Sequence, residues 1–117
     1  MRVLLADDQW RIRSALRLML EQQPGWQVVG ETADAAGLLR MVVTKQPGLL
    51  FLDWELPGLP SDQLIRLLRY ERPSLKIIAM SSRPEAERPA LEAGVTAFLS
   101  KSEAPDRLQA IIQACSE

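Results

Sequence analysis

The chain has 117 residues, 47% of them hydrophobic and 25% charged, which is the composition of an ordinary globular domain with a core of its own. Its formal net charge of −1 gives no electrostatic reason to expect direct contact with nucleic acid or with an anionic membrane surface. The sequence contains no histidine, which excludes histidine metal ligands, histidine general bases and nucleophiles that histidine activates.

The cysteine content and the hydropathy indicate a compartment. Cys115 is the single cysteine, so no internal disulfide can form, as in proteins of a reducing compartment. No apolar run approaches the length of a membrane span, and Met1 leads directly into a predicted strand rather than into a signal peptide. We therefore expect residues 1–117 to form one cytoplasmic domain.

Five short apolar runs predict β-strands, over residues 2–6, 26–31, 49–53, 75–80 and 95–99. Apolar residues at helical spacing predict a helix after each strand, over residues 12–20, 35–42, 61–72, 83–93 and 105–115. Strands that alternate with helices through short loops form a doubly wound parallel sheet with helices on both faces. The predicted fold class is therefore α/β.

Cap residues and prolines mark where helices begin. Thr32 or Asp34 suits the N-cap of the second helix, and Ser61 suits that of the third. The inward face of the third helix is expected to consist of Leu64, Leu67 and Leu68. Pro105 fits the first turn of the last helix. That helix is expected to bury Leu108, Ile111, Ile112 and Cys115.

The fourth helix contains two prolines. Pro84 fits a first turn, where its missing N–H costs nothing. Pro89 lies too deep in a helix over 83–93, because it would lose a backbone hydrogen bond and clash with the carbonyl of Glu85, at a cost of ~3 kcal/mol. We expect regular helix only over 88–93, after an irregular turn.

The third apolar run ends in a carboxylate. Residues 49–52 are continuously apolar, as in a strand that is buried on both faces, and Pro57-Gly58 soon prevents a strand or helix from continuing. Asp53 therefore lies at the carboxyl end of a central strand, where open α/β sheets bind their ligands. A strand-end aspartate by itself more often opens a turn, so the other strand ends decide its interpretation.

Four strands end in chemically distinctive residues, namely Asp7-Asp8, Asp53, Ser81 and Lys101. In a parallel sheet these ends share one edge, so the side chains are expected to meet in one cleft, with Glu55 close by. Two carboxylates ~4 Å apart repel by roughly 4 kcal/mol at an effective dielectric constant of ~20, and one lysine cannot neutralise three acids. The cluster should therefore hold a divalent cation or raise the pKa of one acid, and oxygen ligands open to water favour Mg²⁺.

Such a site suits phosphoryl transfer to a carboxylate. A carboxylate nucleophile in line with a phosphoryl group needs both charges screened, here by the metal and the Lys101 ammonium group. The Ser81 hydroxyl could donate to a phosphoryl oxygen. We therefore predict an acyl phosphate at Asp53.

Four separated segments carry a family resemblance that covers essentially the whole chain. They are Val-Leu-Leu-Ala-Asp7-Asp8, Leu-Phe-Leu-Asp53-Trp-Glu-Leu-Pro57-Gly58, Ile-Ala-Met-Ser81-Ser and Gly94-Val-Thr-Ala-Phe98-Leu-Ser-Lys101. In this order they resemble the receiver domains of two-component response regulators. The resemblance implies a flavodoxin-like fold with five strands in the order 2-1-3-4-5.

The same resemblance implies a role for each residue of the cleft. Asp53 is the phosphoacceptor. Mg²⁺ is held by Asp8, by Asp53 and by the backbone carbonyl of Glu55, while Asp7 acts mainly through a water on the metal. Lys101 contacts the phosphoryl group.

The resemblance also implies roles for residues beside the cleft. Ser81 is the switch hydroxyl, and Phe98 matches the aromatic whose rotamer follows it, although a plain core phenylalanine would explain Phe98 equally well. Glu55 and Arg83 occupy the positions that tune the rates of phosphorylation and dephosphorylation. Two solvated charges without consequence are the alternative for this pair.

Partners follow from the resemblance as well. A histidine kinase supplies the phosphoryl group, and the chain is not an enzyme beyond self-phosphorylation from small donors and autodephosphorylation. Residues 21–31 are most similar to receivers attached to a helix-turn-helix DNA-binding output domain, which the chain does not encode, so we expect a single-domain or an excised receiver. Related receivers form homodimers through the fourth helix, fifth strand and last helix, a face that Pro89 is expected to alter.

Three other functions compete with this interpretation. A pseudo-receiver, folded but never phosphorylated, would normally have lost part of the acid set, which this chain keeps. Phosphatases with an Asp nucleophile resemble one another in an Asp-x-Asp pair on the nucleophile strand, whereas here the pair is Asp53-Trp-Glu55 and the metal acids come from an earlier strand. A flavin-binding domain would need a phosphate loop rich in serine, threonine and glycine after the first strand, where Asp7-Asp8 would repel a phosphate.

Overall fold

Five parallel strands form the centre of the molecule. The computed structural model describes residues 1–116, apart from the side chains of 104 and 105. The strands are β1 (Arg2–Ala6), β2 (Gln27–Thr32), β3 (Leu49–Asp53), β4 (Lys76–Ser81) and β5 (Ala97–Ser100). They pair in the order β2-β1-β3-β4-β5, which confirms the predicted sheet and its topology.

Helices follow each strand. They are α1 (Trp10–Leu20), α2 (Ala35–Lys45), α3 (Ser61–Glu71), α4 (Glu87–Ala93) and α5 (Ala104–Ser116), and short 3₁₀ turns over Pro84–Ala86 and Lys101–Glu103 precede α4 and α5. Within residues 1–116, none of these helices combines the length and the apolar character that crossing a bilayer requires.

The helices cover both faces of the sheet, because successive strand residues point to opposite sides. On one face α1 and α5 pack against side chains that include Leu5 and Phe51. On the other face α2, α3 and α4 pack against side chains that include Leu4 and Leu50. All five residues of β3 are buried, as its continuously apolar sequence predicts, and each large side chain contributes about 1.5–3 kcal/mol.

The beginning of α2 and the loop after β3 are fixed to each other. The side chain of Asp34, one of the two predicted N-caps, accepts a hydrogen bond from the Gly37 N–H at 2.8 Å. The Ala35 N–H donates to the Pro57 carbonyl at 2.9 Å. Gly58 has φ +118°, and a Cβ there would lie 3.0 Å from the Ala35 Cβ, so only glycine fits without strain. The loop that leaves the central strand is therefore held close to the sheet edge.

Two predictions about α3 are wrong. Pro60 occupies the N-cap position, and Ser61 is instead the first helical residue, with its hydroxyl donating to the backbone carbonyl of Trp54. Leu67 is 44% exposed, because the helix packs on a neighbouring stripe. The buried face of α3 consists of Leu64, Ile65 and Leu68.

The structure confirms the interrupted fourth helix to within one residue. Residues 84–86 form the irregular turn, and α4 begins at Glu87 rather than at Arg88. Pro89 is then the third residue of α4, where its backbone nitrogen would have no partner inside the helix. The proline therefore sets where α4 begins without breaking it. In α5, the predicted stripe is buried, at Leu108, Ile111, Ile112 and Cys115.

Candidate functional site

The chemically distinctive strand ends meet at one edge, as the parallel topology requires. Asp7 directly follows β1, Asp53 and Ser81 are the last residues of β3 and β4, and Lys101 directly follows β5. Asp7, Asp53 and Ser81 are the buried polar residues among those that the structure describes, with exposures of 0%, 3% and 0%. Burying a polar group costs free energy unless the group has a partner, so three buried polar residues at one edge indicate a functional site.

Three carboxylates form the centre of this site. Asp7, Asp8 and Asp53 each offer one oxygen, and these oxygens lie within 4.8 Å of one another. Asp8 is exposed, so the cluster is open to water. Asp7 Oδ1 accepts a hydrogen bond from the Gln9 N–H at 2.9 Å, whereas the buried Asp7 Oδ2 has no well-directed hydrogen bond. Three carboxylate oxygens gathered at a site open to water fit a hard cation such as Mg²⁺.

Lys101 supplies the positive charge of the site. Its Nζ lies 2.8 Å from Asp7 Oδ2 and 3.5 Å from Asp53 Oδ1. It also donates to the side-chain oxygen of Gln9 at 3.1 Å, a contact that the sequence did not predict. Burial alone would lower the pKa of Lys101, but the adjacent Asp7 and Asp53 carboxylates raise it above its ordinary value. Lys101 therefore stays charged at neutral pH.

Asp53 is held in one orientation and is hard to ionise. The Glu55 N–H donates to Asp53 Oδ1 at 3.0 Å. Burial raises the pKa of Asp53 from 3.8 to about 6. The Glu55 N–H and Lys101 oppose this rise, and the negative charges of Asp7 and Glu55 add to it. A cation at this site would favour the charged form of Asp53 by removing part of that penalty.

Ser81 is engaged by the side chain of Glu55. The Ser81 hydroxyl donates towards the Glu55 carboxylate, with both oxygens at 3.0 Å, and accepts from the Arg83 N–H at 3.0 Å. The Arg83 guanidinium lies 3.2 Å from Glu55 Oε2, so Glu55 and Arg83 form an ion pair. Both side chains are partly exposed, at 39% for Glu55 and 56% for Arg83. The contact of Glu55 with Ser81 depends on rotamers, and no sequence pattern indicated it.

Phe98 lies on β5, beside the site rather than in it. It is 6% exposed and packs into the core on the side of α4. It also borders a surface pocket of about 300 Å³. The pocket is lined by Phe98, Pro84, Glu87, Ser100, Ser102, Glu103 and Arg107. Both the switch aromatic and the plain core residue are compatible with this position.

Comparisons with known proteins point to one family. A family model described as the response regulator receiver domain matches residues 3–113. The chain is 36% identical over 107 residues to the transcriptional activator protein ExaE of Pseudomonas putida, covering 90% of the chain and 50% of that protein. It is 30% identical over 118 residues to the transcriptional regulatory protein LiaR of Bacillus subtilis, covering 99% of the chain and 56% of that protein.

A solved structure shows the same fold. The isolated REC domain of RcsB from Salmonella enterica serovar Typhimurium, in the presence of the phosphomimetic BeF₃⁻, matches with a TM-score of 0.90 and 27% identity, covering 99% of this chain and 88% of that one. The chain spans about half the length of the curated relatives that it matches.

Proposed function

Because the chain belongs to the response regulator receiver domain family, we propose that Asp53 accepts a phosphoryl group from the phosphohistidine of a partner histidine kinase, in a reaction that requires Mg²⁺. The main observation in support of this proposal is the environment of Asp53. A nearly buried carboxylate lies against two further acids and one ammonium group. That arrangement is costly for a structural role but suits the charge balance of phosphoryl transfer.

We assign the metal site to Asp8, Asp53 and the backbone carbonyl of Glu55, with Asp7 beside them. The clustering of the Asp7, Asp8 and Asp53 oxygens within 4.8 Å of one another and the exposure of Asp8 support this assignment. When bound, Mg²⁺ neutralises part of the acid charge and of the charge on the transferred group. This proposal predicts that the metal is required for labelling and that its loss is not compensated by Lys101 alone.

Asp53 is the nucleophile in the proposed transfer. Its Oδ1 is engaged by the Glu55 N–H and lies near Lys101, which leaves Oδ2 as the freer oxygen. An oxygen–phosphorus bond forms while the phosphorus–nitrogen bond of the phosphohistidine breaks, and its electron pair returns to the imidazole nitrogen. Asp53 must be deprotonated to attack, so its raised pKa predicts slower transfer in mildly acidic solution.

Three residues carry the response to the new charge. Lys101 contacts a phosphoryl oxygen, and the Ser81 hydroxyl turns from the Glu55 carboxylate to donate to another. Phe98 follows Ser81, and the pocket that it borders offers the space for a changed rotamer. The phosphoryl group thereby alters the face formed by α4, β5 and α5, which is the proposed output face.

Glu55 and Arg83 are proposed to set the lifetime of the acyl phosphate. The Glu55 carboxylate adds negative charge near an incoming donor and also holds the Ser81 hydroxyl, while Arg83 lowers the charge penalty by pairing with Glu55. As both side chains are partly exposed, their pairing contributes no more than ~1 kcal/mol, or about fivefold in rate.

The rest of the signalling protein is proposed from the family. Residues 1–117 would be one receiver domain of a transcription regulator whose helix-turn-helix DNA-binding output domain lies outside this chain, in keeping with the transcriptional relatives. The domain itself would act as a phosphoryl acceptor rather than as an enzyme on a separate substrate. A homodimer through the output face is the proposed assembly of the phosphorylated form, and response regulators in general are cytoplasmic.

The direct test is phosphoryl labelling by a small donor. The protein is incubated with acetyl phosphate and Mg²⁺, and the intact mass is measured. We expect one added phosphoryl group on the wild type, none on Asp53→Asn and none when EDTA removes the metal. Asp62→Asn, which changes an exposed carboxylate on α3, is the matched control and should label like the wild type. Equal labelling of Asp53→Asn would refute the proposal.

A further inference from the structure

The turn that carries Asp7 and Asp8 is tied to β2 by an arginine of α1. Arg13 Nη1 donates to the backbone carbonyl of Asp7 at 2.6 Å, while its Nε lies 3.1 Å from Glu31 Oε1. The Arg13 side chain is only 19% exposed, so this bridge is largely shielded from water. One guanidinium therefore joins the loop after β1 to the end of β2, using two of its five donors.

This contact fixes the peptide unit from which the Asp8 side chain departs. The Asp7 N–H already donates to the Thr32 carbonyl at 3.0 Å, so the arginine completes the support of Asp7 on its carbonyl side. No hydrogen bond within residues 1–116 holds the exposed Asp8 carboxylate itself. The position of Asp8 therefore depends on the orientation of the Asp7–Asp8 peptide, whose carbonyl Arg13 contacts.

Arg17 is a suitable comparison residue, because it separates the positioning of Asp8 from the effects of charge and of helix docking. Its Nε lies 2.7 Å from Glu31 Oε2, so Arg13 and Arg17, which both belong to α1, pair with the same carboxylate. Both are partly exposed, at 19% for Arg13 and 38% for Arg17. Arg17 also pairs with Glu21 at 3.4 Å, and within the described part of the chain it makes no hydrogen bond to the Asp7-Asp8 turn.

We infer that Arg13 is a positioning residue for the metal site, acting through the Asp7 carbonyl and held in place by Glu31. The inference rests on the proposed function, because it concerns the acids assigned to Mg²⁺. Loss of a cation beside an acid cluster would by itself tighten Mg²⁺ binding, whereas loss of the support for Asp8 weakens it. The two effects therefore have opposite signs. The Glu31 and Glu21 carboxylates together balance the charges of Arg13 and Arg17, so the weakening dominates.

The test compares the same substitution at the two arginines. Arg13→Met and Arg17→Met each keep an unbranched apolar side chain. Each removes one positive charge that is paired with Glu31. Thermal unfolding of the full chain is followed over a series of Mg²⁺ concentrations, which gives the metal-free melting temperature and the Mg²⁺ dissociation constant separately. Arg13→Lys is included because it keeps the charge, but its single nitrogen cannot lie at both Asp7 and Glu31.

We expect Arg13→Met to weaken Mg²⁺ binding about tenfold and Arg17→Met to leave it within about twofold of the wild type. Arg13→Lys should weaken binding in the same direction, because geometry rather than charge is lost. Equal dissociation constants for Arg13→Met and Arg17→Met, with only the metal-free melting temperatures changed, would reduce Arg13 to a structural residue and overturn the inference while sparing the proposed function. A wild type that binds no Mg²⁺ would overturn both.

Discussion

Asp53 shows how one side chain couples stability to function. It is 3% exposed, and its pKa is raised from 3.8 to about 6, chiefly by burial. A raised pKa means that the folded state holds the proton more tightly than the unfolded state does. The resulting contribution to the free energy of unfolding is present below pH 3.8 and is lost as the pH rises through about 6. Without metal, that loss amounts to roughly 3 kcal/mol.

Asp53→Asn cannot ionise and should not suffer this loss. In metal-free buffer we expect the variant to exceed the wild type in unfolding free energy by roughly 3 kcal/mol at neutral pH, because the pKa of about 6 already includes the attraction of Lys101. The difference should shrink or change sign near the ordinary pKa of an aspartate. Urea unfolding with EDTA, repeated across this pH range, measures it. A difference that does not depend on pH would show that Asp53 ionises normally.

A second prediction for single residues follows from the contact of Glu55 with Ser81 and concerns the rate of labelling. Glu55→Ala frees the Ser81 hydroxyl and removes a negative charge near the incoming donor, so labelling should become faster by up to about fivefold. Arg83→Ala should slow labelling, because Glu55 is then left without its partner. The initial rates of labelling and of decay are measured for both variants and for the double mutant.

The double mutant decides whether the two positions act together. If Arg83 works through Glu55, removing it has little further effect once Glu55 is absent, and the effects of the single mutations do not add. Rates within about twofold of the wild type in all three variants, or simple additivity, would leave Glu55 and Arg83 as independent surface charges.

Among the elements, α4 depends most visibly on the placement of proline. Pro89 is the third residue of α4, so Pro89→Ala should lower the unfolding free energy by less than about 1 kcal/mol, mainly through greater freedom of the unfolded chain. Glu92→Pro places a proline on the same exposed surface but deeper in the helix, and should cost about 3 kcal/mol. Urea unfolding compares them. A cost for Pro89→Ala as large as that of Glu92→Pro would mean that Pro89 has another structural role.

The difference between α3 and its prediction has a geometric cause. Leu64 and Leu68 define the predicted stripe, and either Leu67 or Ile65 can extend it, because each flanks that stripe on the helical wheel. Which of them is buried depends on how α3 rotates against the sheet. That rotation follows from the neighbouring elements and is not encoded in the helix alone.

At the scale of the whole molecule, folding brings three carboxylates together, and a bound cation should reduce the repulsion between them. Mg²⁺ is therefore expected to raise the melting temperature by mass action, since the three carboxylates meet only in the folded state. The fluorescence of Trp54 should change on binding, although Trp10, which is 62% exposed, and Trp26 dilute the signal. A titration with Na⁺ at matched ionic strength is the control. An unmoved melting temperature with flat fluorescence would argue against a metal site.

Most of the fold and the centre of the site could be predicted because they follow from pattern and topology. The continuous apolar run before Asp53 identifies a central strand, and parallel pairing brings the other strand ends to the same edge. The contacts of Glu55 with Ser81, and of Arg13 with the Asp7 carbonyl, could not be predicted. They depend on the rotamers of long side chains and on how α1 docks against β2, and neither quantity has a local sequence pattern.

The most direct test of the central claim is to locate the phosphoryl group chemically. Borohydride reduces an aspartyl phosphate to homoserine, so the protein is labelled with acetyl phosphate and Mg²⁺, reduced, digested and sequenced by mass spectrometry. The proposed function predicts homoserine at position 53, and none at any position of unlabelled protein or of Asp53→Asn. Homoserine at another aspartate, or a labelled protein in which position 53 remains aspartate after complete reduction, would contradict the assignment of Asp53 as the phosphoacceptor.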